Sequence, residues 1–173
     1  MEKREALDVI ITTYLKPEFF KPTKPADRLL RSFIFNEYRL TLAKQISLIW
    51  LDIFQLYGFQ KTSPKQHPRQ INLFHDKIAV QVQNNWKTSN FDSKQSKFKT
   101  LKEFKLKHPN YEVIYGCIND FQDRDYYNKD NVRILTGDLF LQYMLGNDWK
   151  MIVTYLKQEV GKFIIENLNV SLL

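Results

Sequence analysis

The chain has 173 residues, with 26 Lys and Arg against 19 Asp and Glu, a formal net charge of +7 and a pI near 9.4. Its length predicts one domain over residues 1–173 that buries a core without disulfide or metal staples, and 43% apolar with 14% aromatic residues excludes a disordered chain. The lone Cys117 excludes a disulfide framework and a zinc site on paired cysteines, His67, His75 and His108 do not stand at metal-ligand spacing, and the five scattered glycines form no phosphate-binding fingerprint.

The opening MEKREALDVIITTYL carries only a short apolar run broken by Thr12 and Thr13, which reads as neither a signal peptide nor a membrane span. A soluble cytoplasmic protein with a reduced thiol and no membrane partner is expected. Residues 5–15 predict a short helix ending before Pro17, and Pro17, Pro22 and Pro25 make the next stretch a loop or extended arm. From Arg28 to Tyr57 the pattern is helical: Leu42, Ile46, Ile49, Ile53 and Leu56 form one apolar stripe that stops at Gly58. Residues 60–69, with Pro64 and Pro68, read as loop.

The segment from Gln70 to Lys87 contains two runs of period-two alternation separated by His75-Asp76, which predicts a β-hairpin. With a two-residue turn at His75-Asp76, Phe74 pairs with Lys77 and Gln70 faces Gln81. One strand face then carries Gln70, Asn72, Ala79, Gln81 and Gln83. Residues 94–107 predict a basic helix with Phe98, Leu101 and Phe104 at three-residue steps, stopped by His108-Pro109-Asn110. YEVIYGCIN, residues 111–119, is too continuously apolar for an edge strand, and the acidic, aromatic run 120–130 reads as loop. A short VRIL strand follows, then Thr136-Gly137-Asp138 as the cap of a helix over Leu139–Leu145, and a last helix from about Asp148 to Leu168. This order predicts an α/β domain with a mixed central β-sheet flanked by helices.

Charge is concentrated. Residues 60–107 hold eleven Lys and Arg against three acids, while the other 125 residues sum to minus one. Lysines neutralise phosphates without reading sequence, and amides are among the side chains that pair with base edges, so a polyanion partner is expected. Lys87, Lys94, Lys97 and Lys99 are the candidate DNA-binding residues. Trp86 is a packing residue at the strand end more readily than a stacking platform.

A helix, a hairpin with polar residues on one face, a basic crossover helix and an apolar strand resemble the layout of the PD-(D/E)XK nucleases. The stretch I-A-V-Q-V-Q-N-N-W-K-T-S-N-F-D-S-K-Q-S-K-F is similar to their third-strand motif, where a member reads roughly I-A-V-E-V-K. The ending I-L-T-G-D-L-F-L-Q-Y-M-L-G-N-D-W resembles the tail of short type II restriction endonucleases, with the enzymes that cut GCNGC as the subgroup it points to. The resemblance covers roughly residues 30–160. It implies a restriction-endonuclease-like fold and Mg²⁺-dependent hydrolysis of phosphodiester bonds at a short palindromic site in double-stranded DNA, by a homodimer. In that family an Asp on the first hairpin strand and an acid on the second hold Mg²⁺, and a Lys two residues after the acid positions or activates water.

Carried over by position, the strand acid falls on Gln81, the lysine on Gln83, and the first Asp on Asn72 or Gln70, with Asp76 as the nearby carboxylate. The implied catalytic set is Asn72, Asp76, Gln81 and Gln83, with Asp76 and Gln81 as metal ligands. An uncharged amide binds a divalent ion far more weakly than a carboxylate. Three explanations stand open. Carboxylates come from Asp76, Asp92, Glu103 or Glu37; or the chain binds DNA without cutting it; or the hairpin register differs. Asp76 also has a plain reading as a turn residue.

Overall fold

The computed structural model of the chain describes residues 3–20, 31–62, 71–85 and 91–167, without the side chains of 31–37, 85 and 91–94. The chain divides into two compact units, Met1–Ile53 with Lys150–Leu173, and Phe54–Trp149. No helix among the described residues is long and apolar enough to cross a membrane.

The first unit is helical. Helix α1 (Lys3–Tyr14) buries Leu7 and Ile11, one turn apart, and is followed by a 3₁₀ turn over Pro17–Phe20. Thr12 and Thr13 turn their hydroxyls back onto the carbonyls of Asp8 and Val9, so they interrupt the apolar run without breaking the helix. Helix α2 (Arg31–Leu56) runs close to its expected span, and Tyr14 Oη donates to its Asp52 at 2.5 Å. Its buried set is Ile49, Trp50, Ile53 and Phe54, whereas Leu56, expected on the apolar stripe, is half exposed. The terminal helix, here α5 (Trp149–Asn167), buries Ile152, Leu156 and Phe163, and Phe163 packs on Phe20 with ring centroids 5.0 Å apart.

The second unit is built on a mixed six-stranded sheet. Its strands are β1 (Gln60–Lys61), β2 (Leu73–His75), β3 (Ile78–Asn85), β4 (Glu112–Asn119), β5 (Asp125–Tyr127) and β6 (Arg133–Thr136), in the order β1-β2-β3-β4-β6-β5. Strands β3, β4 and β6 run parallel to one another, and β1, β2 and β5 pair antiparallel at the two sides. Parallel neighbours need a crossover, and helix α3 (Phe91–Lys107) supplies it between β3 and β4. Strand β4 is buried from Val113 to Ile118, as a central parallel strand covered on both faces must be.

One face of β4 meets α3. Leu101 and Phe104 are buried there with Ala79, Val113, Tyr115 and Ile134, and Phe98 stacks on Tyr115 at 4.7 Å. The other face meets helix α4 (Gly137–Leu145), where Gly116 lies beneath the ring of Phe140, and any Cβ at 116 would run into that ring. Thr136 precedes α4, but its hydroxyl accepts from Arg124 N–H at 3.1 Å and donates to Gln122 O at 2.8 Å. The expected Thr136 cap is therefore replaced: Asp123 takes the Asp138 N–H at 2.8 Å from outside the helix. Gly137, at φ +64, leaves Asp123 the room to do so.

Two strands lie where loops were expected. Gln60-Lys61 pairs with Phe74 and Leu73, and β5 lies within the acidic run. Strand β5 is exposed along its whole length, and charge holds it in place. Arg133 grips Asp125 through two hydrogen bonds of 2.8 and 2.9 Å and Glu112 through a third of 2.8 Å, and Tyr127 and Tyr143 also donate to Glu112. Burial alone would raise the Glu112 carboxyl, but the hydrogen bonds from Arg133, Tyr143 and Tyr127 outweigh it and leave it below its ordinary value. The Arg133 hydrogen bonds likewise lower Asp125.

Depressed carboxyls contribute stability above their unfolded range, around pH ~4, and lose it as pH falls through their lower folded values. Arg133→Met is expected to cost about 2 kcal/mol at neutral pH, within the range of charge-assisted hydrogen bonds discounted for partial exposure. Urea melts at pH 7 and pH 3 check this. The gap between wild type and variant should shrink at the lower pH, and a gap that stays constant counts against the network.

Candidate functional site

The hairpin turn is Asp76-Lys77, one residue later than expected, so that Phe74 pairs with Ala79 and Leu73 with Val80. Phe74 therefore does not face Lys77. Moving the turn by one residue shifts the cross-strand register by two, which keeps every side chain on its own face. Asp76 occupies the first turn position at φ +48, a left-handed conformation that Asp tolerates better than most residues. Its side chain is 88% exposed, 3.8 Å from His75 Nδ1.

Gln81 and Gln83 share the face of Ala79, beneath α3. Ala79 belongs to the core that holds Leu101, and Gln83 Oε1 accepts a hydrogen bond from Lys97 Nζ at 2.5 Å. Gln81 is only 5% exposed. Its Nε2 donates to the Val82 carbonyl at 3.1 Å, while its buried Oε1 has no hydrogen-bond partner among the described residues. Asn72 lies beside this pair and completes the ladder: its own N–H reaches Val80 O at 2.9 Å, and its Oδ1 accepts from Val82 N–H at 2.7 Å. Continued register would put Asn72 opposite Gln81. The slip toward Val80 leaves the Val82 donor for the side chain to satisfy.

Asn72, Gln81, Gln83 and Lys97 thus come together, whereas Asp76 does not join them. It precedes Gln81 by five residues on one extended strand, roughly 16 Å at the usual rise per residue. The expected ligand pair Asp76 and Gln81 is therefore split between the turn and the strand interior. Lys99 is exposed on α3, as is Glu103. Lys87, Trp86 and His67 lie outside the described residues, and so do the side chains of Lys94, Asp92 and Glu37.

Position on the helix explains why Lys97 differs from its neighbours. Phe98 and Leu101 fix the rotation of α3 against the sheet, and Lys97, one residue from Phe98, emerges at the flank of the buried stripe. The basic composition of the segment identified Lys97 as a cation. Its hydrogen bond to Gln83 depends on long-range packing that no local pattern encodes.

These residues do not fit Mg²⁺. A hard dication is held by charged oxygens, yet the three candidates here are neutral amides. Asn72 Oδ1 is taken by Val82 and Gln83 Oε1 by an ammonium, whose charge repels a dication. Among the described residues no three His, Cys, Asp or Glu side chains converge as a metal site would require. The described members of the cluster, Asn72, Gln81, Gln83 and Lys97, include one cation and no carboxylate. Compared with known protein families and with curated proteins, the chain matches none.

Gln81→Leu should raise the unfolding free energy by about 1 kcal/mol, because it removes a buried acceptor that lacks a donor, a defect worth roughly 1–3 kcal/mol. Chemical denaturation measures this. A clear loss of stability instead would mean that Oε1 has a partner in the folded protein.

Proposed function

We propose that the chain is a type II restriction endonuclease, a homodimer that hydrolyses phosphodiester bonds at a short palindromic site in double-stranded DNA with Mg²⁺. The observation that carries this reading is the meeting of Asn72, Gln81, Gln83 and Lys97 under the crossover helix, in the segment that holds the whole positive surplus of the chain. The path from hairpin through basic crossover helix to a buried parallel strand, which the resemblance to the PD-(D/E)XK nucleases implies, supports it as well. One such site per chain cuts one strand, so a palindromic target calls for two chains related by a two-fold axis. The amide cluster supplies phosphate contact in this reading, and carboxylates outside it would hold Mg²⁺.

A second reading, a non-catalytic nucleic-acid-binding protein on the same fold, is favoured by one observation: amides stand where the acids of a metal centre would be, and no acid cluster stands beside them among the described residues. Both readings predict duplex binding that weakens steeply with salt, because lysines displace counterions.

Incubating the protein with several plasmids in Mg²⁺, with EDTA controls, separates the two. Discrete, Mg²⁺-dependent fragments are expected. Duplex binding in EDTA that falls at least about tenfold between about 50 and 200 mM salt, with no cleavage in Mg²⁺, would transfer the assignment to the second reading. Neither binding nor cleavage would remove both.

A further inference from the structure

We propose that the open edge of β5 is an interface: a second copy of the chain pairs with it, antiparallel about a two-fold axis at Tyr126, so that two six-stranded sheets join edge to edge. The pairing rests on the two-chain reading proposed above and adds the surface on which the chains meet. Strand β5 ends the sheet, with β6 on one side and no described strand on the other. In an antiparallel ladder alternate residues turn both backbone groups toward the same neighbour. Arg124 O accepts from Thr136 N–H and Asn128 N–H donates to Val132 O, both at 3.0 Å, so the even-numbered residues face β6. Asp125 and Tyr127 therefore turn their N–H and C=O groups to the open side, where no described residue bonds them.

Edge strands are guarded against such pairing by shortness, Pro, Lys and other charges, or a bulge. Here the ladder with β6 runs from Arg124 to Asn128, longer than β5 itself. This stretch has no Pro or Lys, its register is one to one, and its charges are already matched, Asp125 by Arg133 and Arg124 by Asp120. Large rings are exposed instead: Tyr126 and Tyr127 on the strand, and Phe121 before it at 85%. A second copy fits better than an unrelated strand because this edge complements itself. Pairing about Tyr126 sets Asp125 opposite the partner's Tyr127, and the two such pairs exchange four main-chain hydrogen bonds. Tyr126 then stands directly opposite the partner's Tyr126, in the closer kind of cross-strand pair, where facing aromatic rings add stability. Continued outward, the same register brings exposed Asp123 toward the partner's exposed Lys129, an acid against a base at each end. The two Asp125 carboxylates come onto one face, but each is held by its own Arg133.

Such an interface is small, so association in the micromolar range is expected. Sedimentation equilibrium between about 1 and 100 µM should show the mass rising toward twice the 20.8 kDa of the chain. Tyr126→Lys sets two ammonium groups face to face and should raise the dissociation constant about tenfold or more. Lys129→Glu should raise it severalfold, whereas Lys107→Glu, the same charge change on exposed α3 surface, should leave it alone. Tyr126→Cys gives a positive signal: its two copies would lie roughly 4.5 Å apart, Cα to Cα, within disulfide reach, and should cross-link on mild oxidation. Phe121→Cys, at a more exposed position but far from the axis, should not, and the native Cys117 is buried. Thermal melts establish that each variant is folded, and if Tyr126→Lys is not, Tyr126→Cys and Lys129→Glu still decide. A monomer throughout, a dimer that Tyr126→Lys or Lys129→Glu leaves intact, or Phe121→Cys cross-linking as readily as Tyr126→Cys overturns this inference. Mg²⁺-dependent cleavage by the wild type would then leave the proposed nuclease standing, its chains meeting elsewhere. A β5 dimer without duplex affinity would overturn the proposed function alone.

Discussion

The packing of the crossover helix on the β3–β4 pair governs the rest of the second unit. Phe98 stacks on Tyr115, and Leu101 and Phe104 close over Ala79, Val113 and Ile134. Each side chain of this size contributes roughly 1.5–3 kcal/mol when buried, so together they outweigh any single polar contact of the unit. This seam is apolar and continuous, and it fixes both the height and the rotation of α3 over the sheet. Two consequences follow for polar chemistry. Gln81 is sealed from solvent although it is a strand amide, and Lys97 is brought onto Gln83 although it belongs to a helix that would otherwise present it to water. The candidate site is thus a by-product of hydrophobic closure, in which a polar strand face has been trapped beneath a helix.

Charge then decides what the trapped face can do. With carboxylates at positions 72 and 81 the site would be anionic and would attract a dication. With amides there and an ammonium beside them, the described residues at the site offer a dication no negative charge. Amides in place of acids bear on metal binding directly and on polyanion binding only through the loss of repulsion, which is why activity and binding have to be measured as separate quantities in this protein.

What the sequence revealed follows from how local each signal is. The helices and β4 announce themselves through apolar periodicity and a continuous apolar run. The amide face of β3 was also legible, because period-two alternation survives an error in turn position that moves the pairing by an even number of residues. Strand β5 was hidden. Asp125, Tyr126 and Tyr127 are all exposed and have no apolar alternation, and they are held by Arg133 from the neighbouring strand, a contact that no window of sequence encodes. Thr136 looked like a helix cap because threonine before Gly-Asp usually is one. In the fold its hydroxyl is used by Gln122 and Arg124, and Asp123 fills the vacant role. Leu56 continued the apolar stripe of α2, yet the buried face turns toward Trp50 and Phe54 and leaves it half exposed. At the site, residue types were legible and partners were not, since the bond between Lys97 and Gln83 spans fourteen residues and exists only after the seam has closed.

The two ends of the parallel strands differ in how their charges are placed. At the amino-terminal edge, Glu112 opens β4 and Arg133 opens β6, and their charges are matched within the lock that holds β5. Asp76 lies at this same edge, in the turn that precedes β3, which is why it stays with the structural end and apart from the amides. Toward the carboxyl-terminal end, β3 carries Gln83, whose Oε1 accepts a hydrogen bond from Lys97 Nζ. Open α/β sheets place ligands outside the carboxyl ends of their strands, because the loops and helix starts there are free to vary without disturbing the pairing. At that end the described residues gather Asn72, Gln81, Gln83 and Lys97, polar groups that the apolar seam has closed over and that the lock at Arg133 does not reach.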